Sequence, residues 1–341
     1  MLTRQLGQNG PTVSTLGLGC MGMSDFYGPA DRKESLATID AALEAGITLL
    51  DTGNFYGMGH NELLLREALA GGRRERVFLA VKFGAQRSPD GAFIGFDGRP
   101  AAVKTALAYS LQRLGTDTID LYQPARLDPA VPIEDTMGAL AEMVKAGYIR
   151  HIGLSEVGVE TLRRAQTVHP VTALQIEYSL LSRGIEEEIL PTARDLGIGI
   201  TAYGVLSRGL LSGHWSPERS AGARELPRDF RSHLPRFHGE NLDHNLALVE
   251  TLRGLAWERS VTVAQLAIAW VLARGNDIVP LIGARQRKRL DEALSALDLH
   301  LTESDLARIE EAVGPQAAAG DRYAADQMAI LDSERAAAPG A

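Results

Sequence analysis

A chain of 341 residues, 45% of them hydrophobic, can bury one large core or two ordinary ones, and its net charge of -8 excludes the broad basic face that nucleic acid or an anionic membrane surface selects. Cys20 is the only cysteine, which excludes an internal disulfide and a cysteine-rich zinc site. The first residues lack the apolar core of a signal peptide and no apolar run is long enough to span a bilayer, so the expectation is a cytoplasmic protein that acts on a small molecule.

Turn signals at Gly7 to Pro11 predict an N-terminal β-hairpin, after which short β-like runs alternate with longer segments of helical period. Runs at 16–19, 47–51, 77–82, 118–123, 151–155, 173–177, 199–203 and 278–282 predict strands. Eight such runs, separated by helices, is the number that a closed parallel (β/α)8 TIM barrel needs. The helices have legible ends. Asp31 to Glu34 reads as a capping box ahead of Leu36, Ile39 and Leu43, with Gly46 as the stop. Segments 101–114, 134–146 and 187–196 stop at Gly115, Gly147 and Gly197, and 262–274 carries Leu266, Ile268, Trp270 and Val271, enough to lie against a sheet.

After the seventh strand the rhythm breaks over 205–240, a long loop rich in Arg, Ser, Gly and Pro. A loop of this length inside a compact domain suggests a lid, anchored here by Phe230 and Phe237. Beyond Val313 a C-terminal extension offers Tyr323, Met328 and Leu331 for docking on the barrel. The organisation expected is one domain over 1–331 and a disordered tail over 332–341.

Gly17-Leu18-Gly19-Cys20-Met21-Gly22 matches the dinucleotide fingerprint G-x-G-x-x-G, which works by opening a helix onto a pyrophosphate. Here Gly28 and Pro29 intervene and no helix begins before about Asp31. The glycines are therefore assigned to the end of a first barrel strand, with a Rossmann domain as the alternative fold.

In a parallel barrel the functional groups gather at the strand C-termini. Asp51, Lys82, Ser155, Gln175, Tyr203 and Gly283 stand at or just beyond six such ends, and Tyr56 shares the tight loop that follows Asp51. An acid, a tyrosine and a lysine brought together can protonate a carbonyl oxygen, the ammonium lowering the phenol pKa and the carboxylate orienting the ammonium.

Residues 50–57, Lys82, 120–123, 153–155, 174–179, 202–211 and 282–285, with Arg289 and Glu292, make the chain from about 2 to 331 resemble the aldo-keto reductase superfamily. Its members are (β/α)8 barrels that reduce aldehydes and ketones with NADPH. The resemblance implies Tyr56 as the general acid, Lys82 as the group that lowers its pKa, and Asp51 as the partner of Lys82. It implies that Ser155 and Gln175 hydrogen-bond the cofactor carboxamide and that Tyr203 stacks under the nicotinamide. Met21, Leu206, Arg208, Gly283, Arg285, Gln286, Arg289 and Glu292 would complete the NADPH/NADP+ site, Glu292 at the adenine amino group.

Two positions depart from that pattern. Ala125 stands where most such reductases carry a histidine that members resembling potassium-channel β subunits also lack; its absence would lower the rate, widen the pocket for a bulkier substrate or leave room for a water. Glu156 stands where asparagine is common, and a carboxylate cannot donate to a carboxamide.

The run Arg285-Gln286-Arg287-Lys288-Arg289 is basic within an acidic protein. Arg285 and Arg289, four apart, are expected to share a helix face. On charge alone the run reads as a solvated face. Its place after Gly283, where the resemblance locates the adenosine phosphate, favours NADPH over NADH.

His60 reads as a capping or surface residue, and His233, His238 and His244 lack metal spacing, so no metal is expected. Ser207 lacks the elbow of a serine hydrolase. Trp270 reads as core and Trp215 as a pocket wall. Two functions follow: an NADPH-dependent reductase of aldehydes or ketones, and an NADP(H)-binding sensor in which Ala125 marks weak or lost turnover.

Overall fold

All eight runs read as strands are strands, each within two residues of its expected bounds: β1 (Gly17–Gly19), β2 (Leu49–Gly53), β3 (Phe78–Phe83), β4 (Ile119–Pro124), β5 (Ile149–Ser155), β6 (Val171–Glu177), β7 (Gly199–Tyr203) and β8 (Ile278–Gly283). In the structure, a computed structural model that describes residues 1–225 and 229–335, they run parallel and close into a barrel, β8 pairing back onto β1 through Gly283 and Gly19.

Because successive side chains on a strand point to opposite faces, the sheet serves two cores. Leu49, Ala80, Leu121, Ala173, Val279 and Leu281 fill the barrel interior together with Leu6 and Val13 of the N-terminal hairpin, whose strands are Thr3–Gln5 and Thr12–Ser14. Leu18, Leu50, Val81, Leu154, Ile176 and Ile200, on the other face, pack with the surrounding helices. The hairpin plugs the floor: Gln8 N donates to the Gly197 carbonyl oxygen at 2.8 Å, and Arg4 Nη1 reaches the Gly275 carbonyl oxygen at 2.8 Å.

The glycine run of β1 belongs to this barrel and not to a Rossmann turn. A Cβ at Gly17 would meet Leu281 Cδ2 at 2.6 Å, and the first α-helix begins only at Arg32. Helix ends follow the sequence closely. Gly115 takes a left-handed φ of 66° and its N–H closes on the Leu111 carbonyl oxygen at 2.9 Å. Thr262 and Gln265 form a full capping box ahead of Val263–Ala273, a helix buried on nearly every side. The box read at Asp31 is only half made. Asp31 Oδ1 accepts from Glu34 N at 2.7 Å, but the Glu34 carboxylate turns to Arg287, whose Nη2 donates at 2.9 Å.

Residues 205–240 are more ordered than a long loop. They hold the 3-10 turns Ser207–Ser212, Phe230–His233 and Pro235–Phe237 and the helix Pro217–Glu225, although 226–228 lie outside the described residues. Phe237 is buried edge-on to Trp215, while Phe230 packs on Phe26 and Tyr27. Of the tail expected to be disordered, Asp332–Glu334 is a 3-10 turn tied to the barrel, Asp332 Oδ2 accepting from Gly158 N at 2.8 Å; 336–341 lie outside the described residues. No helix among the described residues is long and apolar enough to cross a membrane.

Candidate active site at the barrel mouth

Strand register levels the polar groups at one end of the barrel. Gly53 of β2 pairs with Lys82 of β3, Lys82 with Gln123 of β4, and Ser155 of β5 with Gln175 of β6. Lys82 Nζ donates to Asp51 Oδ1 at 2.5 Å, both side chains being almost fully buried, and Gln175 Nε2 donates to Asp51 Oδ2 at 2.7 Å. Both oxygens of the carboxylate are thus engaged, one from the adjacent strand β3 and one from β6 on the opposite side of the barrel. Tyr56 follows in a 3-10 turn in which Gly57 and Met58 take left-handed φ values of 57° and 55°, a strained course for Met58. Gly53 leaves the ring room, since a Cβ there would lie 3.3 Å from it. Lys82 Nζ sits 5.2 Å from the centre of the Tyr56 ring.

Burial pushes the Tyr56 phenol well above its usual 10, Asp51 adds to the rise, and Arg126 is the cation that opposes it. Lys82 moves the other way: burial lowers its ammonium and Asp51 resists. Tyr56 therefore holds its proton at neutral pH, the state in which a phenol can donate to a carbonyl oxygen that is gaining charge.

Beside these groups runs a cleft of about 600 Å³. Asp51, Tyr56, Lys82, Met21, Gln175, Tyr203, Leu206, Arg208, Gly283, Arg285, Gln286, Arg289 and Glu292 all line it. Ser155 does not. It is buried behind Arg126, whose Nη1 lies 3.4 Å from its hydroxyl. Trp215, read as a pocket wall, stands one layer back, stacked beneath Arg231 and Arg219.

At the β8 end of the cleft the wall is open and cationic. A Cβ at Gly283 would meet no atom within 4 Å. Arg285, Arg289, Arg219 and Arg231 converge here, and partial burial followed by the fields of Arg231, Arg289 and Arg285 pulls Arg219 down. The basic run divides: Arg287 turns to Glu34, whereas Arg289 stays on the cleft with Glu292 as its partner at 3.0 Å. Arg285 and Arg289 do not share a helix face, because the helix begins at Arg287 with Gln286 as its cap. Arg285 instead reaches across to the carbonyl oxygens of Tyr27 and Pro29, both at 3.1 Å. A bridge between Tyr27 and Asp229, with Phe230 N donating to the Phe26 carbonyl oxygen at 2.9 Å, carries the 205–240 segment over the same place.

The inner mouth holds a charge network that sequence reasoning missed. Glu156, at a left-handed φ of 55°, accepts from Arg322 Nη1 and Nη2 at 3.0 and 2.5 Å and from Ser333 Oγ at 2.7 Å. Its carboxylate is spent on the C-terminal segment rather than offered to a carboxamide. Glu177 receives Arg208 Nη2 at 2.8 Å and Arg322 Nη1 at 3.2 Å. Burial pushes the Glu156 carboxyl up, but Arg322 outweighs it and holds the group far below the usual carboxylate range. Arg208 is therefore bound to an internal partner and stacks on Tyr323 at 4.4 Å. Tyr203 OH meets Tyr323 OH at 2.9 Å. The available signal was the need itself: two carboxylates, Glu156 and Glu177, at the ends of apolar strands demand cations from elsewhere.

Ala125 is buried at the expected position after β4, its N–H on the Phe83 carbonyl oxygen at 2.7 Å. Arg126, its neighbour, takes the space in front, with Nη2 at 3.2 Å from Tyr323 OH and 3.4 Å from Tyr203 OH. His60 bonds Ser24 Oγ at 2.8 Å, outside the cleft lining.

Comparison with known proteins gives a consistent set of likenesses. The family model described as Aldo/keto reductase family matches residues 15–313. A curated relative, probable aldo-keto reductase 1 of Glycine max, is 44% identical over 322 residues, covering 94% of this chain and 91% of its own. Among solved structures, the glycerol dehydrogenase AKR11B4 from Gluconobacter oxydans superposes with a TM-score of 0.81 at 30% identity, over 92% of this chain and 96% of that one. The holo form of the aldo-keto reductase AKR11C1 from Bacillus halodurans gives 0.75 at 28% identity, over 92% and 97%.

Proposed function

The chain belongs to the aldo/keto reductase family and is an oxidoreductase, and from that premise we propose that it reduces aldehydes or ketones to alcohols with NADPH, Tyr56 giving the proton. The observation that carries the reading is the buried Lys82–Asp51 pair at 2.5 Å beneath the Tyr56 ring, on the wall of a 600 Å³ cleft.

The residues present fit a phosphorylated dinucleotide. The bare backbone at Gly283 can be approached closely, and Arg219, Arg285 and Arg289 place cations around it. A bound nicotinamide supplies the hydride for the carbonyl carbon. The protein does the rest. Tyr56 gives its proton to the carbonyl oxygen, and the Lys82 ammonium stabilises the phenolate left behind. Asp51 keeps that ammonium charged against its burial and fixes its position. With Nε2 committed to Asp51, Gln175 has its amide oxygen to offer a carboxamide. Phe26, Phe55, Phe93 and Phe96 give the cleft an aromatic lining against which an apolar carbonyl compound can pack.

The test is NADPH consumption over a panel of aromatic, aliphatic and dicarbonyl compounds, with Tyr56→Phe alongside. Turnover that falls about 100-fold or more in the variant, with NADPH affinity kept, supports the assignment. Equal turnover in both proteins removes Tyr56 from the role. Tight NADPH binding without turnover in the native protein favours the sensor reading that Ala125 raises.

A further inference from the structure

Three guanidinium groups surround the inner mouth, and two of them are matched by acids. Arg208 is bound to Glu177, and Arg322 to Glu156, Glu177 and Glu334. Arg126 is different. Among the described residues its partners are the Ala125 carbonyl oxygen at 2.6 Å, Ser155 Oγ at 3.4 Å, and the hydroxyls of Tyr323 and Tyr203 at 3.2 and 3.4 Å. None is a carboxylate, and the three hydroxyl contacts are long. Glu156, the buried acid whose charge favours the Arg126 cation, has both oxygens engaged by Arg322.

Arg126 also lines the cleft together with Tyr56, Lys82 and Ala125. A half-buried guanidinium with only neutral acceptors carries a desolvation cost that a carboxylate relieves, through the planar two-pronged geometry that a guanidinium favours. Ala125 next to it contributes a single methyl to the same wall.

We propose that Arg126 binds a carboxylate carried by the carbonyl substrate, so that the preferred substrates are oxo acids. The proposal rests on the reductase reading and names its substrate class. The balanced step is an oxo acid taking a hydride from NADPH at its carbonyl carbon and a proton from Tyr56 at its oxygen; a hydroxy acid and NADP+ leave, and solvent reprotonates Tyr56.

Acid and ester pairs test it, because they differ in charge, and the greater intrinsic carbonyl reactivity of the ester is the same for the native protein and its variants, so the change in ratio between proteins isolates Arg126. Phenylglyoxylate against its methyl ester places the carboxylate beside the carbonyl, and 4-carboxybenzaldehyde against its methyl ester places it across a ring. The native protein is expected to favour the acid in at least one pair. Arg126→Gln lowers the acid-to-ester ratio of kcat/KM by about 10- to 100-fold, mainly through KM, and Arg126→Lys restores part of it. Because each ratio is internal to one protein, partial unfolding cancels. Ratios that Arg126→Gln leaves in place in both pairs overturn the proposal while the reductase reading stands. Equilibrium binding of benzoate and benzamide to the protein with NADP+ supplies an arm without turnover. Benzoate bound more tightly than benzamide in the native protein but not in Arg126→Gln supports the site even if no carbonyl compound is reduced, and equal binding overturns it.

Discussion

The guanidinium of Arg322 grips both oxygens of the Glu156 carboxylate from 166 positions away in the chain. Glu156 lies directly after β5, one residue past Ser155, so a residue from the C-terminal extension finishes the electrostatics of the barrel mouth.

Removing that cation leaves Glu156 short of its main partner and Glu177 with Arg208 as its remaining close guanidinium. Arg322→Met is expected to lower stability by about 3–5 kcal/mol at pH 7, the usual cost of breaking a buried ion pair from one side. The pH dependence has a definite sign. Burial raises the Glu156 carboxyl, Arg322 lowers it by more, and a depressed carboxyl stabilises the fold above its unfolded value of 4.5 and loses that contribution as the pH falls towards the folded value. Urea unfolding of both proteins should show the widest gap at neutral pH and a narrowing gap below 4.5. A gap constant from pH 7 to 3.5 contradicts the pairing.

The Lys82–Asp51 pair is buried to a similar degree. Lys82→Met alone strands a carboxylate that retains only Gln175, and a loss of about 3–5 kcal/mol is expected. Adding Asp51→Asn removes the stranded charge and should recover more than half of the loss. Chemical denaturation of the single and double variants decides the matter; equal loss in both shows that the pair's electrostatics are not what holds it.

The division of the basic run separates a cofactor role from a structural one. Arg289→Ala is expected to weaken NADPH binding by about 10- to 100-fold and NADH binding by less than about threefold, because only NADPH carries the 2′-phosphate. Arg287→Ala, which breaks the contact to Glu34, should change neither. Titration of protein fluorescence with each nucleotide provides the constants, and equal weakening of both by Arg289→Ala contradicts the 2′-phosphate assignment.

The barrel was legible because its strands are local events: runs such as 77–82 and 278–282 carry their own apolar period, and Gly115 or Thr262 marks a helix end without help from distant residues. Asp51, Tyr56 and Lys82 were legible for a related reason, since each stands at or just after a strand end and the topology sends such residues to one mouth. What escaped was long-range. Arg322 sits in an Ala- and Gly-rich stretch with no periodicity to announce that it is buried, and nothing near it in sequence matches Glu156. Glu34 misled for the same reason, because a capping box is a local pattern and Arg287, 253 positions on, outcompeted it. The 205–240 segment kept its short helices hidden because they are too brief and too arginine-rich to show an apolar stripe.

The placement of Arg322 also dictates an order of construction. Chains are made from the N-terminus, so Glu156 and Glu177 leave the ribosome 166 and 145 positions ahead of the cation they share. The floor plug formed by Leu6 and Val13 needs no such latecomer from beyond β8. The vessel can be sealed at its base while its rim still carries hydrated acids, and the rim dries only when residue 322 arrives.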